Sequence, residues 1–196
     1  MQKNDLEKKL EFILEIDKSK EIIRQTYLAD ASRREGDAEH AWHLAIMAIL
    51  LADYANEEVD VVKVMKMVLI HDLIEIDAGD TYAYDEEANK SKEEREKKAA
   101  DRIFNILPGE CAKEMRALWD EFEEQYTPES KFAHTLDNVQ PLLLNDASGG
   151  RSWREHGVCK SQVLKRNERT PEESVELWKH CQKIIEKHVE EGNLKA

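Results

Sequence analysis

The chain has 196 residues, 41% hydrophobic and 36% charged, with a formal charge of −13 at neutral pH. That length suits one domain with a sizeable core and excludes a disordered chain, while the acidic balance argues against a nucleic-acid polymer or an anionic membrane as partner. Three cysteines without ligand-like spacing, an N-terminus without an apolar signal core, and no apolar run of membrane-spanning length point to a reducing, cytoplasmic setting.

The elements come in chain order as helix after helix. Residues 4–24 carry Leu6, Leu10, Ile13, Leu14 and Ile16 at helical spacing among charges, and residues 25–37 form a loop. Asp37 is placed to cap a helix over 38–55 that is apolar nearly all round, which marks it as buried and central. A second buried helix covers 59–77 and breaks at Ala78-Gly79-Asp80, before a polar loop over 81–92. The run 85–98 nearly balances its charges and forms an exposed loop and helix start. Helices follow over 92–107, stopped by Pro108-Gly109, then over 110–125 and 128–146. Thr127 caps the last of these with Pro128 at its first position, Pro141 kinks or splits it, and Gly149-Gly150 ends it. A final helix starts at Thr170-Pro171-Glu172-Glu173 and runs to about Glu190. The fold class is therefore all-α: a single compact multi-helix domain over 1–196, with a core of chemistry at 38–146 and a C-terminal basic segment and helix at 151–190.

The chemistry gathers on the two buried helices and one later aspartate. His71-Asp72 follows the mostly apolar run 64–70, and burying an ionised carboxylate is costly unless something pairs with it. His40 and His43 share a helix face, and Glu75 projects beside His71 and Asp72, one turn on. Asp137 sits in the largely apolar stretch 131–145, with His134 a weaker ligand one turn earlier. Two imidazoles plus two carboxylates make a mixed N/O set suited to one divalent transition metal: Mn, Fe, Co, Ni or Zn. His156, His180 and His188 lie in polar stretches and belong on the surface. Residues 151–169 carry six Arg/Lys against two Glu, a local charge of +4 that forms either a solvated hairpin or subunit contact around Trp153, or a basic wall for an anionic ligand.

The pattern His40…His71-Asp72…Asp137 resembles the HD-domain superfamily of metal-dependent phosphohydrolases. The text around it, Ser32-Arg33-Arg34-Glu35, Ala38-Glu39-His40-Ala41-Trp42-His43 and the run His71 to Asp80, resembles the branch containing the bacterial 5′-deoxynucleotidase and its eukaryotic HD-domain relatives. Leu118-Trp119-Asp120-Glu121-Phe122-Glu123, Lys131-Phe132-Ala133 and Leu136-Asp137 also look like that branch. The resemblance implies metal ligands at His40, His71, Asp72 and Asp137, a water-activating Glu75, and an Asp80 near the sugar and leaving oxygen. It implies phosphate-binding arginines at Arg33 and Arg24, with Arg34 beside them, and gives His43 a packing or supporting role. The chain departs from the branch's Arg-Trp pair at Arg24-Gln25. The expected activity is removal of the 5′-phosphate from (deoxy)nucleoside monophosphates, by a dimer. A phosphodiesterase or pyrophosphohydrolase acting on a signalling nucleotide, or a non-catalytic nucleotide sensor, is the alternative use of the same pocket.

Overall fold

The computed structural model describes residues 3–84 and 91–196, and its architecture is α-helical with one two-stranded hairpin. The site is framed by α1 (Asp5–Ile16), a 3-10 turn (Asp17–Glu21), β1 (Ile23–Tyr27), β2 (Arg34–Gly36) and α2 (Asp37–Leu51). There follow a short 3-10 turn (Ala52–Tyr54), α3 (Val61–Ile70), a third 3-10 turn (His71–Ile74), α4 (Glu75–Ala78), α5 (Lys92–Phe104), α6 (Gly109–Glu124) and α7 (Pro128–Ala147). The C-terminal part is α8 (Arg151–His156), α9 (Lys160–Arg166), α10 (Thr170–Glu173) and α11 (Val175–Glu190). Part of the loop expected over 81–92, with the start of the 85–98 run, lies outside the described residues.

Several sequence expectations are corrected. The first helix ends at Ile16 rather than 24, and only Phe12 of its apolar residues is buried, while Leu6, Leu10, Ile13 and Leu14 face outward. The loop expected over 25–37 contains most of the β1–β2 hairpin, antiparallel with Ile23 opposite Gly36 and Tyr27 opposite Arg34. Helix α2 is not buried all round: Trp42, Ile46, Ile49 and Leu50 stay 38–68% exposed on one face. The helix expected over 59–77 tightens into a 3-10 turn at His71, where the Trp119 indole donates to the His71 carbonyl at 3.2 Å. That side-chain bond occupies an acceptor otherwise available to the helix ladder.

The caps follow local chemistry. Gly36 rather than Asp37 precedes α2, its backbone N–H donating to the Glu39 carboxylate at 3.0 Å, so Asp37 becomes the first helical residue and is buried. Thr127 and Pro128 start α7 as expected, and the helix runs through Pro141 without splitting. The last helix does not grow from Thr170. Ser174 adopts an extended conformation between α10 and α11, accepts from Leu177 N and donates to the Tyr54 carbonyl at 2.7 Å.

Two apolar clusters fill the interior. One joins α2, α3, α6, α7, α8 and α11 through Leu44, Met67, Phe122, Leu136, Trp153 and Ile185. The other joins α1, the end of α3, α5 and α6 through Phe12, Ile70, Ile74, Phe104 and Trp119. His71 follows Ile70 at the point where the two clusters meet and is buried, its ring 5.0 Å from that of Phe122. His188 is fully buried rather than on the surface. Its Nε2 is 2.9 Å from Asp146, Asn193 donates to its Nδ1, and its ring meets Trp153 edge-on, so both polar atoms are satisfied indoors.

Gly150 closes this corner. Its φ is +72°, and a Cβ there would lie 2.7 Å from Asn193 Cβ and 3.0 Å from His188 Nδ1. Gly150→Ala is expected to cost about 1–2 kcal/mol from the left-handed backbone alone, and more from the clash, so thermal unfolding should show a midpoint several degrees lower.

Candidate metal centre

Three elements deliver the central groups: α2 brings His40, the 3-10 turn brings His71 and Asp72, and α7 brings Asp137. His40 Nε2 lies 3.0 Å from Asp137 Oδ1 and 3.9 Å from Asp72 Oδ2. His71 Nε2 lies 3.2 Å from Asp72 Oδ2 and 3.7 Å from Asp137 Oδ1. One donor atom from each of His40, His71 and Asp72 falls within a 4.8 Å span.

The tautomers follow from the opposite ring atoms. His71 Nδ1 is 2.9 Å from the Val68 carbonyl, which can only accept, so Nδ1 carries the proton. His40 Nδ1 is 3.2 Å from Gln140 Oε1, again an acceptor. Gln140 is oriented in turn, because its Nε2 donates to Glu35 Oε1 at 2.6 Å and lies 3.1 Å from His43 Nδ1. In the neutral imidazoles both Nε2 lone pairs therefore face carboxylate oxygens. Acceptor facing acceptor in a buried site repels unless a positive charge lies between them.

The two imidazoles titrate in opposite directions, and the proton that His71 holds marks where positive charge is favoured. Burial and the nearby Arg24 hold the His40 imidazole down to about 4, leaving it neutral, as a ligand must be. Burial also disfavours a charged His71, but Asp72 and Asp137 outweigh it and push the group up to about 10. His71 Nε2 nevertheless makes no hydrogen bond of good geometry. A divalent ion fits this donor set: it would take the place of the proton on His71, leaving two imidazole nitrogens and two carboxylates whose charge it would neutralise.

Around this centre sits an excess of buried carboxylate. Asp37, Asp72 and Glu75 form a second group, with one oxygen of each within 4.8 Å of the others, and it shares Asp72 with the first. Burial, then the charges of Asp72 and Asp37, push Glu75 up to about 11; burial above all raises Asp37 and Glu35 to about 7. Burial raises Asp80 as well. Asp72 stays ionised, since His71 and Arg24 offset the burial that opposes its charge.

The arginines separate. Arg24, on β1, is mostly buried and donates to Asp72 Oδ2 at 2.7 Å, with Asp37 and Glu35 at 3.7 and 3.8 Å. Arg33 is not in the cluster: it grips Glu39 with both terminal nitrogens on the exposed outer side of the α2 start. Arg34 also stays outside, 3.8 Å from Glu155 and over the Tyr27 ring. Alternation along β2 turns Arg34 away from the face on which its neighbour Glu35 reaches the centre, while Arg33 precedes the strand and is held by Glu39. Asp80 lines a cavity with Arg24, Gln25, Asp72 and Glu75. His134 stacks on Phe122 at 4.0 Å and lines a second cavity on the other side of Asp72 and Asp137.

Sequence reasoning missed Glu35, Gln140 and the site role of Asp37. Two signals were present: Gln140 is one turn from Asp137 on α7, and Asp37 is one turn before His40 on α2, which puts each pair on one face.

An HD domain family model matches residues 16–178. The chain belongs to the HD domain family. The matched span holds every group of the centre. Among solved structures, this HD domain chain is similar to a predicted metal-dependent phosphohydrolase from Magnetospirillum magnetotacticum MS-1. The two are 46% identical with a TM-score of 0.92, over 98% of this chain and 99% of that one. It is also similar to proteins named 5′-deoxynucleotidase HDDC2. The human protein is 28% identical over 135 residues, and the Danio rerio protein 30% over 136. Those alignments cover 68% of this chain and 65% and 66% of the two relatives, so the chain spans just under two thirds of their length.

The Glu35–Gln140 pair generates a direct test of how the centre is held. Gln140→Leu removes the acceptor for His40 Nδ1 and is expected to weaken Mn²⁺ or Co²⁺ binding about 10- to 100-fold in titration calorimetry. Circular dichroism should show the helical fold retained.

Proposed function

We propose that this HD domain chain is a metal-dependent phosphohydrolase that removes the 5′-phosphate of (deoxy)nucleoside monophosphates. The observation that carries the reading is the pair of imidazole Nε2 atoms facing Asp72 and Asp137 across a gap that calls for a cation. The description of the Magnetospirillum relative as a metal-dependent phosphohydrolase supports the reaction class, and the name 5′-deoxynucleotidase of the HDDC2 proteins supports the substrate.

His40, His71, Asp72 and Asp137 would hold one divalent ion, of which Mn²⁺, Fe²⁺, Co²⁺, Ni²⁺ and Zn²⁺ all suit the donors. Such an ion supplies Lewis acidity toward a phosphoryl oxygen and makes a nucleophile available from water at neutral pH. Glu75, one turn past His71 and Asp72, is the base: it takes the proton of the attacking water as the new P–O bond forms. Its present high pKa comes from burial and the charges of Asp72 and Asp37, so neutralising Asp72 lowers it into a working range. Asp80 faces the same cavity and is placed to accept from a sugar hydroxyl or to assist the departing 5′ oxygen. Arg24 fixes the Asp72 carboxylate and adds positive charge behind the phosphate.

The same reading extends to assembly and setting: a homodimer working in the cytoplasm. An acidic surface without a membrane-crossing helix among the described residues, and three free cysteines, accord with that setting. The exposed Trp42, Ile46, Ile49 and Leu50 form one apolar face of α2, a surface that monomers rarely leave uncovered.

Phosphate release should be measured from a panel of nucleoside monophosphates with each metal added in turn. Asp72→Ala should lose both bound metal and activity, while Glu75→Gln should keep the metal and lose about 10²- to 10⁴-fold in kcat. Full activity in Asp72→Ala would remove the metal role, and release from dinucleotides but not monophosphates would move the reading to a phosphodiesterase. Light scattering should give twice the 22.8 kDa chain mass for the native protein and a single mass for Leu50→Glu, whose side chain is 68% exposed in one copy.

A further inference from the structure

The basic segment 151–169 has two structural fates. Arg151 is tied to Glu155 and the Ala31 carbonyl, Arg154 to Asn193 and the Gly149 carbonyl, and Lys160 to Glu186. These three cations lock local structure. Lys165, Arg166 and Arg169 line the cavity that opens beside His71, Asp72 and Asp137, with Arg169 also donating to Gln125 at 2.8 Å. That cavity measures about 680 Å³, within the range of small-molecule sites.

Arg166, at the end of α9, has the most specific position. One terminal nitrogen donates to Asp137 Oδ2 at 3.3 Å, while His40 faces the other oxygen of that carboxylate. Among the described residues this is its one ion pair, and its side chain stays 32% exposed, so the rest of the guanidinium fork is open toward solvent and the cavity. Arg166 also lines the smaller cavity that holds Arg24 and Asp80. The two cavities meet at Asp72 and Asp137, and the cations common to both are Lys92 and Arg166. Lys92, at the start of α5, is 3.4 Å from Glu96.

The other arginines near this chemistry are committed elsewhere. Arg24 spends its hydrogen bond on Asp72 inside the carboxylate cluster, and Arg33 is held by Glu39 outside it. An incoming phosphate adds two negative charges to a region already rich in carboxylate and needs cations with free donors. We propose that Arg166 and Lys92 form the phosphate clamp of this site, with the Arg166 fork binding two phosphoryl oxygens while Asp137 fixes its orientation. The basic segment is then the substrate wall of an otherwise acidic protein. The proposal rests on the phosphohydrolase reading for its substrate, but anion binding can be measured without turnover.

The test uses the metal-loaded full chain and inorganic phosphate as probe, read by titration calorimetry, alongside steady-state hydrolysis of a nucleoside monophosphate. Arg166→Ala and Lys92→Met are each expected to weaken phosphate binding about 10-fold or more and to raise KM by a similar factor, with bound metal unchanged. Arg166→Lys should recover part of the loss, and Lys160→Ala, whose partner is Glu186, should match the native protein. Phosphate affinity and KM within twofold of native in both Arg166→Ala and Lys92→Met overturn the clamp. Loss of metal from Arg166→Ala also overturns it, because the residue then acts by supporting Asp137. If native protein binds phosphate through these residues yet hydrolyses no monophosphate, the clamp stands and the hydrolase reading falls.

Discussion

Negative charge packed where water is scarce is the constraint on which this structure depends. Glu35, Asp37, Asp72, Glu75 and Asp137 converge from five elements, and Arg24 lies among them. Ionised carboxylates at such spacing repel strongly, and desolvation adds to the cost. The molecule responds by holding protons on some, by bonding Asp72 to Arg24, and by favouring a proton on His71 beside Asp72 and Asp137. Each response leaves a place for added positive charge, which is the electrostatic preparation a metal and a phosphate-binding wall both need.

The fold's work is to make that cluster rigid. Burying His71 between two apolar clusters fixes its ring, the Trp119 indole takes its carbonyl, and the Val68 carbonyl takes its Nδ1 proton. His40 is fixed through Gln140 and Glu35, so the hairpin that supplies Glu35 and Arg24 is part of the centre's support. A ligand ring whose far nitrogen is hydrogen-bonded has one orientation and one tautomer, and it does not have to be ordered again when an ion binds.

The helices with strong apolar spacing were legible: α2, α3, α6 and α7 all appear close to where the periodicity puts them. Local punctuation was legible as well, in the Thr127-Pro128 start of α7 and the Gly149-Gly150 stop. The hairpin was not, because Arg24 to Tyr27 and Arg34 to Gly36 are short, mostly polar, and paired only to each other. The 3-10 turn at His71 was invisible because a tryptophan 48 residues away sets it. His188 looked like a surface residue from its polar neighbours, although Asp146, Asn193 and Trp153 enclose it.

The sequence by itself determined the helical class, since apolar periodicity is a local property, and its resemblance to a known family nominated His40, His71, Asp72, Glu75, Asp80 and Asp137 as the site. Tertiary structure alone decided which arginines face that set. Arg33 and Arg34 stand beside the first histidine in the chain and outside the cluster in space, whereas Arg166 stands 29 residues past Asp137 and touches it. Alternation at Arg34, the hold of Glu39 on Arg33 and the ion pair that joins Arg166 to Asp137 separate proximity along the chain from proximity in the fold, and charge acts only through the latter.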